Sequence, residues 1–330
     1  MSNSSTRTPN ARRREHRAIG MLLLACLIWG MGFNWNKEGQ AILGSRLAEV
    51  CGDPSLSGLG PAWCLAIRFL LVVVCWALVF RASRLGWTWT TIRAGLSGGG
   101  LLAGGMLLQH YGLSYTSESL SSFLTSLTVL FTPFLAVVFL RQRVGGWMWA
   151  SVGCATVGVA LMTLYRVEGA FDRGALLGLL CAVVFSAHIL VVDHYGRRED
   201  ARRFALAQFL TATVIFVTFS IVRHTASAPL HFSEVARAAA SAPFLGWLAL
   251  IASVGTFLTF GLMFRFQPDT NPTRASLIYL SEPVFATLYA WLAAASTLTS
   301  AAILGAALIL LGNLLAEFLS KNAERTTPGP

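Results

Sequence analysis

The sequence predicts an all-α integral membrane protein whose ten transmembrane helices form two inverted repeats of five helices each. Three observations support this fold class. Of the 330 residues, 55% are hydrophobic and 12% are charged, and this charged share is about half that of a soluble domain. Apolar stretches of about twenty residues, each able to cross roughly 30 Å of hydrocarbon, recur along the chain. The second half of the chain also repeats the pattern of the first.

Ten apolar stretches qualify as transmembrane segments because each carries few charges over a length that spans a bilayer. A basic tail, 1–17, precedes them and a second tail, 320–330, follows them. In chain order the predicted segments are 18–35, 61–80, 94–113, 119–140, 145–165, 174–193, 204–223, 243–264, 275–294 and 299–319.

The basic residues indicate the orientation of these segments. Eighteen of the 25 lysines and arginines lie in the tails and in alternate loops, six lie on the opposite side, and Arg68 lies within a segment. Basic loops mark the cytoplasmic side of a multi-pass protein. We therefore expect an inner or plasma membrane protein with both termini in the cytoplasm. The net charge of +10 then follows from topology and does not indicate nucleic acid as a partner.

The two halves share a pattern that is clearest near their ends. Segments 119–140 and 275–294 each contain a proline, and each is followed by a short hairpin and by a segment of spaced small residues. Five segments are an odd number, so the second repeat, 174–319, must be inverted relative to the first, 18–165. Inverted repeats are the architecture of many secondary transporters, whose sites lie near the bilayer midplane.

Several stretches together resemble a known family. They are the pair Trp29-Gly30, "IRF" at 67–69, "YGLSYTSESLSSFLTSL", and "QPDTNPTRASLIYLSEPVFA" at 267–286. They are similar to the ten-span EamA-type members of the drug/metabolite transporter superfamily. The resemblance implies ATP-independent transport, with no cofactor, of an amino acid, another metabolite or a drug, as export or import. The chain departs from the family where Gly-Glu usually stands in the last hairpin, because that place holds "AAAST".

Glu282 and Pro283 lie inside the apolar segment 275–294. At 100° per residue, Tyr279 and Glu282 share one helix face about 80° wide with Ala286 and Tyr289. A carboxylate within the membrane costs roughly 2.5 to 3.5 kcal/mol, so it usually faces a cavity or a partner. Loss of water favours its protonated form, as a proton-coupling group requires. Either Glu282 couples protons to transport, or it is a structural partner of Arg68 or of a backbone group and Pro283 merely kinks the helix.

Hydroxyl side chains line one face of segment 119–140. Alignment of Pro133 with Pro283 places Thr132 opposite Glu282. Thr125, Thr128 and Thr132 share that face with Ser121 within about 60°. This strip either lines the substrate pathway or lets two helices approach closely and exchange hydrogen bonds.

Five further polar or aromatic residues are candidates. We expect a structural role for Arg68, whose side chain could reach the outer membrane boundary, and Gln208 is its repeat counterpart. His110 and His188 lie within segments and could titrate near neutral pH or be satisfied structurally. Trp29 either contacts substrate or anchors the first segment at the interface.

Two other functions remain as alternatives. A passive channel would need polar stripes on several segments, and only two segments show one. An acyltransferase is suggested by the spacing of His188 and Asp193. Residues five apart on a continuous helix are, however, rotated by about 140° and cannot act on one substrate.

The six cysteines show no metal-ligand spacing, although Cys51 and Cys64 border the longest outer loop and could form a disulfide. The expected partners are a small-molecule substrate and the lipid bilayer.

Overall fold

A computed structural model describes residues 9–115, 118–141, 145–163, 173–292 and 299–326. Within these ranges the chain is helical or in turns and contains no strand. The α-helices are α1 Pro9–Cys51, α2 Gly60–Val79, α3 Trp89–Tyr115, α4 Glu118–Ser126, α5 Thr128–Leu140, α6 Gly146–Thr163, α7 Arg173–Gly196, α8 Ala201–Thr225, α9 Phe232–Ala239, α10 Ala242–Ala252, α11 Thr259–Phe266, α12 Pro272–Tyr279, α13 Glu282–Leu292 and α14 Ser300–Thr326.

Six helical stretches in the described ranges are long and apolar enough to cross a membrane. They are Arg13–Cys51, Pro54–Val79, Ser121–Leu140, Arg173–Gly196, Ala201–Thr225 and Ala242–Asp269. Gly146–Leu161 and Ser300–Leu315 are shorter apolar helices. Large apolar side chains such as Leu78, Phe139 and Leu292 are exposed on the outside of the bundle, which suits contact with lipid. The chain is therefore a multi-pass membrane protein, while the count of ten segments and their inversion stay predictions.

Helix α1 is much longer than the predicted first segment. Residues 36–51, expected in an outer loop, continue the helix to Cys51. Leu43 and Leu47 are fully buried, because apolar residues recur there every three or four positions and pack on the turn Pro54–Leu59. Cys51 and Cys64, which border this region, are both free thiols.

Two predicted segments are each divided into two helices. Leu127 separates α4 from α5, and Leu280 and Ser281 separate α12 from α13. The continuous helix expected around Pro283 was therefore wrong. Pro283 lies in the first turn of α13, where a missing N–H costs nothing because that amide has no partner within the helix. Pro133, in contrast, lies inside α5.

Glycines allow the closest approaches between helices. A side chain at Gly99 of α3 would meet the carbonyl oxygen of Gln208 on α8 at 2.5 Å, and one at Gly105 would meet the ring of Phe185 on α7. At Gly30 of α1 a side chain would meet the backbone of Glu282 and Ala286 at 2.8 Å. The spaced glycines are thus packing surfaces, which close approach in lipid requires. They bring α1 directly against the start of α13.

Candidate functional site

A cavity of about 130 Å³ lies in the interior of the bundle. A cavity of this size can hold a compact organic group, since an engineered cavity of about 150 Å³ binds benzene. Helices from both halves of the chain contribute to its wall. The lining residues are Trp29, Gly32, Phe33, Asn36, Arg68, Met106, Gln109, His110, Leu113, Ser122, Thr125, Ser126, Thr128, Phe185, His188, Ile189, Ile251, Gly255, Phe260, Met263, Ser276, Tyr279, Leu280 and Glu282.

Glu282 is the first residue of α13 and borders the cavity directly after the break at Leu280 and Ser281. Its backbone packs against Gly30 of α1, so the carboxylate is carried by a helix end held in close contact. Among the described residues no salt bridge includes Glu282. The cavity is therefore where its carboxylate can meet water, a proton or a bound solute.

Tyr279 and Trp29 form the aromatic wall next to Glu282. Their ring centroids are 5.7 Å apart, and the Trp29 ring also lies 5.4 Å from that of Phe260. The Tyr279 hydroxyl donates a hydrogen bond of 2.9 Å to Oε1 of Gln267. Trp29 thus packs inside the bundle against aromatic neighbours, and its predicted alternative role as an interfacial anchor was wrong.

The threonines of the hydroxyl strip divide between cavity and packing. Thr125 and Thr128 line the cavity, whereas Thr132 is fully buried outside it and donates to the carbonyl of Thr128. Alignment of the two helix breaks, instead of the two prolines, places Thr128 opposite Glu282, since each begins the helix that follows a break. Thr132 therefore does not line the cavity, and which threonine is the repeat counterpart of Glu282 stays a prediction.

The two histidines are both buried and both border the cavity. Nδ1 of His110 lies 2.9 Å from the carbonyl oxygen of Met106, and Nε2 of His188 lies 2.9 Å from Oε1 of Gln208. Gln208 is fully buried behind His188 and does not line the cavity. Its contact orients the His188 ring. Gln208 therefore differs from its predicted repeat counterpart Arg68, which lines the cavity.

Arg68 lies deep in the bundle, only 2% exposed, on the wall of the cavity. The expected reach to the outer boundary was therefore wrong. Its guanidinium donates to Oδ1 of Asn36 at 2.7 Å and contacts the sulfur of Met106 at 3.6 Å. No ion pair joins Arg68 to Glu282 in the described part of the chain, so the structure does not place the two as structural partners.

The model of the EamA-like transporter family matches this chain twice, at residues 16–164 and 172–317. The chain belongs to this family. It is similar to a protein of Archaeoglobus fulgidus named an uncharacterized transporter, with 26% identity over 310 residues that cover 92% of this chain and 86% of the relative. A solved crystal structure matches 94% of this chain and 99% of its own chain with a TM-score of 0.67. At 17% identity that likeness shows the fold alone.

Membership of the EamA-like family and the relative's name indicate a transporter and not an enzyme. The spacing of His188 and Asp193, which suggested an acyltransferase, is explained by a structural role of Asp193 in this EamA-like chain. Asp193 accepts hydrogen bonds from Nε and an amino group of Arg197, at 3.0 and 2.7 Å, and α7 is unbroken between His188 and Asp193. In the described ranges no cluster of three or more His, Cys, Asp or Glu residues could hold a metal ion.

The sequence analysis of this EamA-like chain missed several residues that line the cavity. Gln109, Phe185, Phe260 and Ser276 come to it from four helices. Gln109 could have been predicted, because it is a polar amide beside His110 within an apolar segment. Phe260 carried none, because it follows a π-helical turn, Ser253–Leu258, that shifts the helix face and that no sequence pattern marked.

Proposed function

We propose that this protein is a secondary transporter of a small organic solute, amino-acid-like or another metabolite or drug, that works by alternating access. The single observation that carries the proposal is the cavity, which both halves of the chain line and which holds a carboxylate at a helix break. Discontinuous helices at the repeat interface form the sites of many transporters. Membership of the transporter family supports the same function.

The helix contacts support two equivalent halves. When each helix of the first half is exchanged for its counterpart five predicted segments later, the contact of α3 with α7 becomes that of α1 with α11. The contact of α5 with α7 likewise becomes that of α1 with α13. The pairs α2 with α8 and α6 with α14 each join counterparts. This exchange pattern is expected for an inverted repeat with boundaries near 18–165 and 174–319, whose halves can rock about a shared site.

Polar contacts close the bundle on the side where α1 begins. Arg274 of α12 forms an ion pair with Glu15 of α1, and both side chains are largely buried. An amino group of Arg197 donates to the carbonyl of Thr270 at 2.7 Å, and Nε2 of Gln267 donates to the carbonyl of Ile189 at 2.8 Å. In the proposed topology this is the cytoplasmic side. We infer that these contacts must separate when the cavity opens there.

Glu282 is the proposed coupling group. A carboxylate on a cavity wall can take up a proton from one side and release it to the other as access alternates. Its position at the end of a helix that packs on α1 would let its protonation change that contact. The coupling ion is then H⁺, with Thr125, Thr128, Tyr279 and Trp29 as substrate contacts.

Reconstitution into liposomes tests the proposal. Purified protein would be assayed with labelled amino acids and other small metabolites, with protein-free liposomes as the control, with and without an imposed pH gradient. We expect saturable uptake of at least one solute and its accumulation when the gradient is imposed. Flux that never saturates would favour a passive channel, and no flux of any solute tested would contradict the transport function.

A further inference from the structure

We propose that Arg68 binds a carboxylate of the transported solute, so that the substrates are small organic acids. This inference rests on the proposed transport function and names a group that the solute must carry. Sequence reasoning gave Arg68 a structural role at the membrane boundary, and the structure places it on the cavity wall instead.

The partners of Arg68 leave part of its hydrogen-bonding capacity unused. A guanidinium has five N–H donors. One amino group of Arg68 donates to Oδ1 of Asn36 and the other contacts the sulfur of Met106, which is a weak acceptor. Nε is buried and has no hydrogen-bond partner among the residues that the structure describes. A planar fork with free donors is the geometry that binds a carboxylate through two parallel hydrogen bonds.

The charge of Arg68 also lacks a compensating anion in the described part of the chain. No carboxylate forms a salt bridge with Arg68 in the ranges that the structure describes. Its neighbours Asn36 and Met106 are neutral, and the ring of Phe69, at 5.3 Å from the guanidinium carbon, gives only a cation–π contact. Buried charges are normally paired, because an isolated ion loses its hydration without return. An anionic group of the ligand would supply the missing pair.

The cavity around Arg68 suits a carboxylate attached to a compact apolar skeleton. Rings of Trp29, Phe185 and Phe260 and the side chain of Ile251 form much of the remaining wall. A volume of about 130 Å³ leaves room for a skeleton of roughly aromatic size. Glu282 borders the same cavity without pairing with Arg68, so an acid that also carries an ammonium group, such as an amino acid, can face both charges.

Thermal stabilisation of the purified full-length protein in detergent tests this inference. The probes are phenylalanine, leucine and phenylacetate, each compared with its own carboxamide, which keeps the skeleton and removes the negative charge. We expect each acid to raise the melting temperature at a concentration at least tenfold lower than its amide. Equal effects of acids and amides, or no stabilisation by any acid, would overturn the inference.

Asn36→Asp supplies the decisive variant. It places a carboxylate where Asn36 already accepts the hydrogen bond of Arg68, so the cation is neutralised from within and the fold is retained. We expect the preference for acids over amides to fall to about onefold. Asn34→Asp is the matched control, because it adds the same charge two residues away on an exposed position of α1 that does not line the cavity. Retention of the preference in Asn36→Asp would show that Arg68 does not bind the carboxylate.

The outcome separates this inference from the transport function. If neutral or cationic solutes accumulate in liposomes while acids and amides bind alike, transport stands and the carboxylate site is wrong. If acids bind selectively through Arg68 but no solute crosses the membrane, the carboxylate site stands and the transport function is wrong. Arg68→Gln provides a second check, because it keeps a polar side chain and removes only the fork and its charge.

Discussion

At the scale of single residues, Glu282 combines a membrane-interior position with access to a cavity. It begins α13 beside the aromatic pair Trp29 and Tyr279. A structural carboxylate in this setting would be paired, yet no salt bridge of the described residues includes it. A carboxylate that must change its protonation state during a cycle cannot be held permanently by a cation. The absence of an ion pair there agrees with the coupling role that we propose.

Glu282→Gln should separate coupling from transport. The amide is nearly isosteric and carries no charge, so expression and melting temperature should be unchanged or slightly higher. Accumulation driven by a pH gradient should be lost, whereas exchange of labelled for unlabelled solute should persist because it needs no net proton movement. Liposome uptake and exchange assays measure the two activities in parallel.

Glu49→Gln is the control, because it removes an exposed carboxylate that pairs with Arg46 far along the same helix that packs on Glu282. Normal gradient-driven accumulation by Glu282→Gln would end the coupling hypothesis. If Glu282 instead stabilises Arg68, the variant should lose stability, and Arg68→Leu in the same chain should restore part of it.

The sequence was sufficient to select candidate polar residues within the membrane segments but not to predict which of their side chains face the cavity. Glu282, Tyr279 and Thr128 could be found because a polar group in an apolar segment is costly and therefore has a reason. Thr132 shares a face of α5 with Thr128, but helix periodicity predicts the face and not the depth, so it could not show that the cavity ends before Thr132. Arg68 was misplaced because only its neighbours, Asn36 and Met106, decide whether so long a side chain turns inward.

At the scale of helices, the contact between α1 and α13 depends on Gly30. A methyl group there would lie 2.8 Å from two backbone atoms of α13, and backbone cannot move aside as a flexible side chain can. Gly30→Ala should therefore destabilise the protein by about 1 to 3 kcal/mol, as overpacking does. Melting temperature in detergent measures the effect.

Gly20→Ala is the matched control on the same helix, since no described residue lies within 4 Å of the added methyl group. It should leave the melting temperature unchanged or raise it slightly, because Ala favours helix over Gly by about 1 kcal/mol. Equal effects of the two substitutions would show that the close approach at Gly30 is not needed.

The ion pair between Glu15 and Arg274 should contribute more to stability than a surface pair. Both side chains are largely buried, with 13% and 6% exposed. Removal of one partner from a buried pair costs on the order of 3 kcal/mol, so Glu15→Gln should clearly lower the melting temperature. Adding Arg274→Gln should recover part of the loss, because the second member of the pair is then neutral as well.

The surface pair of Arg46 and Glu49, with 45% and 65% of the side chains exposed, gives the comparison. Exposed pairs contribute about 0 to 1 kcal/mol, so Glu49→Gln should change the melting temperature little. A loss in Glu15→Gln no larger than that in Glu49→Gln would contradict a closing role for the buried pair. It would also weaken the proposal that the cavity is closed on the side where α1 begins.

At the scale of the whole molecule, the basic residues predict the orientation in the membrane. Eighteen of 25 lie in the tails and in alternate loops, and such a bias marks the cytoplasmic side. A reporter fused after Pro330 should behave as cytoplasmic, as should one fused before Met1. An exported reporter at the C-terminus alone would mean that the number of segments is odd, which would contradict two repeats of five.

Composition and periodicity could predict the fold class because lipid imposes one rule on every segment: backbone groups must be satisfied within a helix. That rule does not fix where a helix ends in water, so α1 was predicted to stop near residue 35 and instead continues to Cys51. Nor does it distinguish one long helix from two short ones, as at Ser281. The cavity depends on these breaks, and for that reason its wall could be predicted only in part.

The length of α1 has a mechanical consequence for the two ends of the molecule. Its 43 residues make a rod of about 64 Å, at 1.5 Å per residue, which is more than twice the thickness of the hydrocarbon core. We propose Gly30, where α1 packs against α13, as the pivot about which this rod tilts. Glu15 lies about 22 Å from this pivot and Cys51 about 31 Å on the other side, from the same rise per residue. A tilt of about 10° would therefore move the two ends by about 4 and 5 Å in opposite directions. A tilt of α1 as a rigid body would thus open the protein at one end and close it at the other in a single motion.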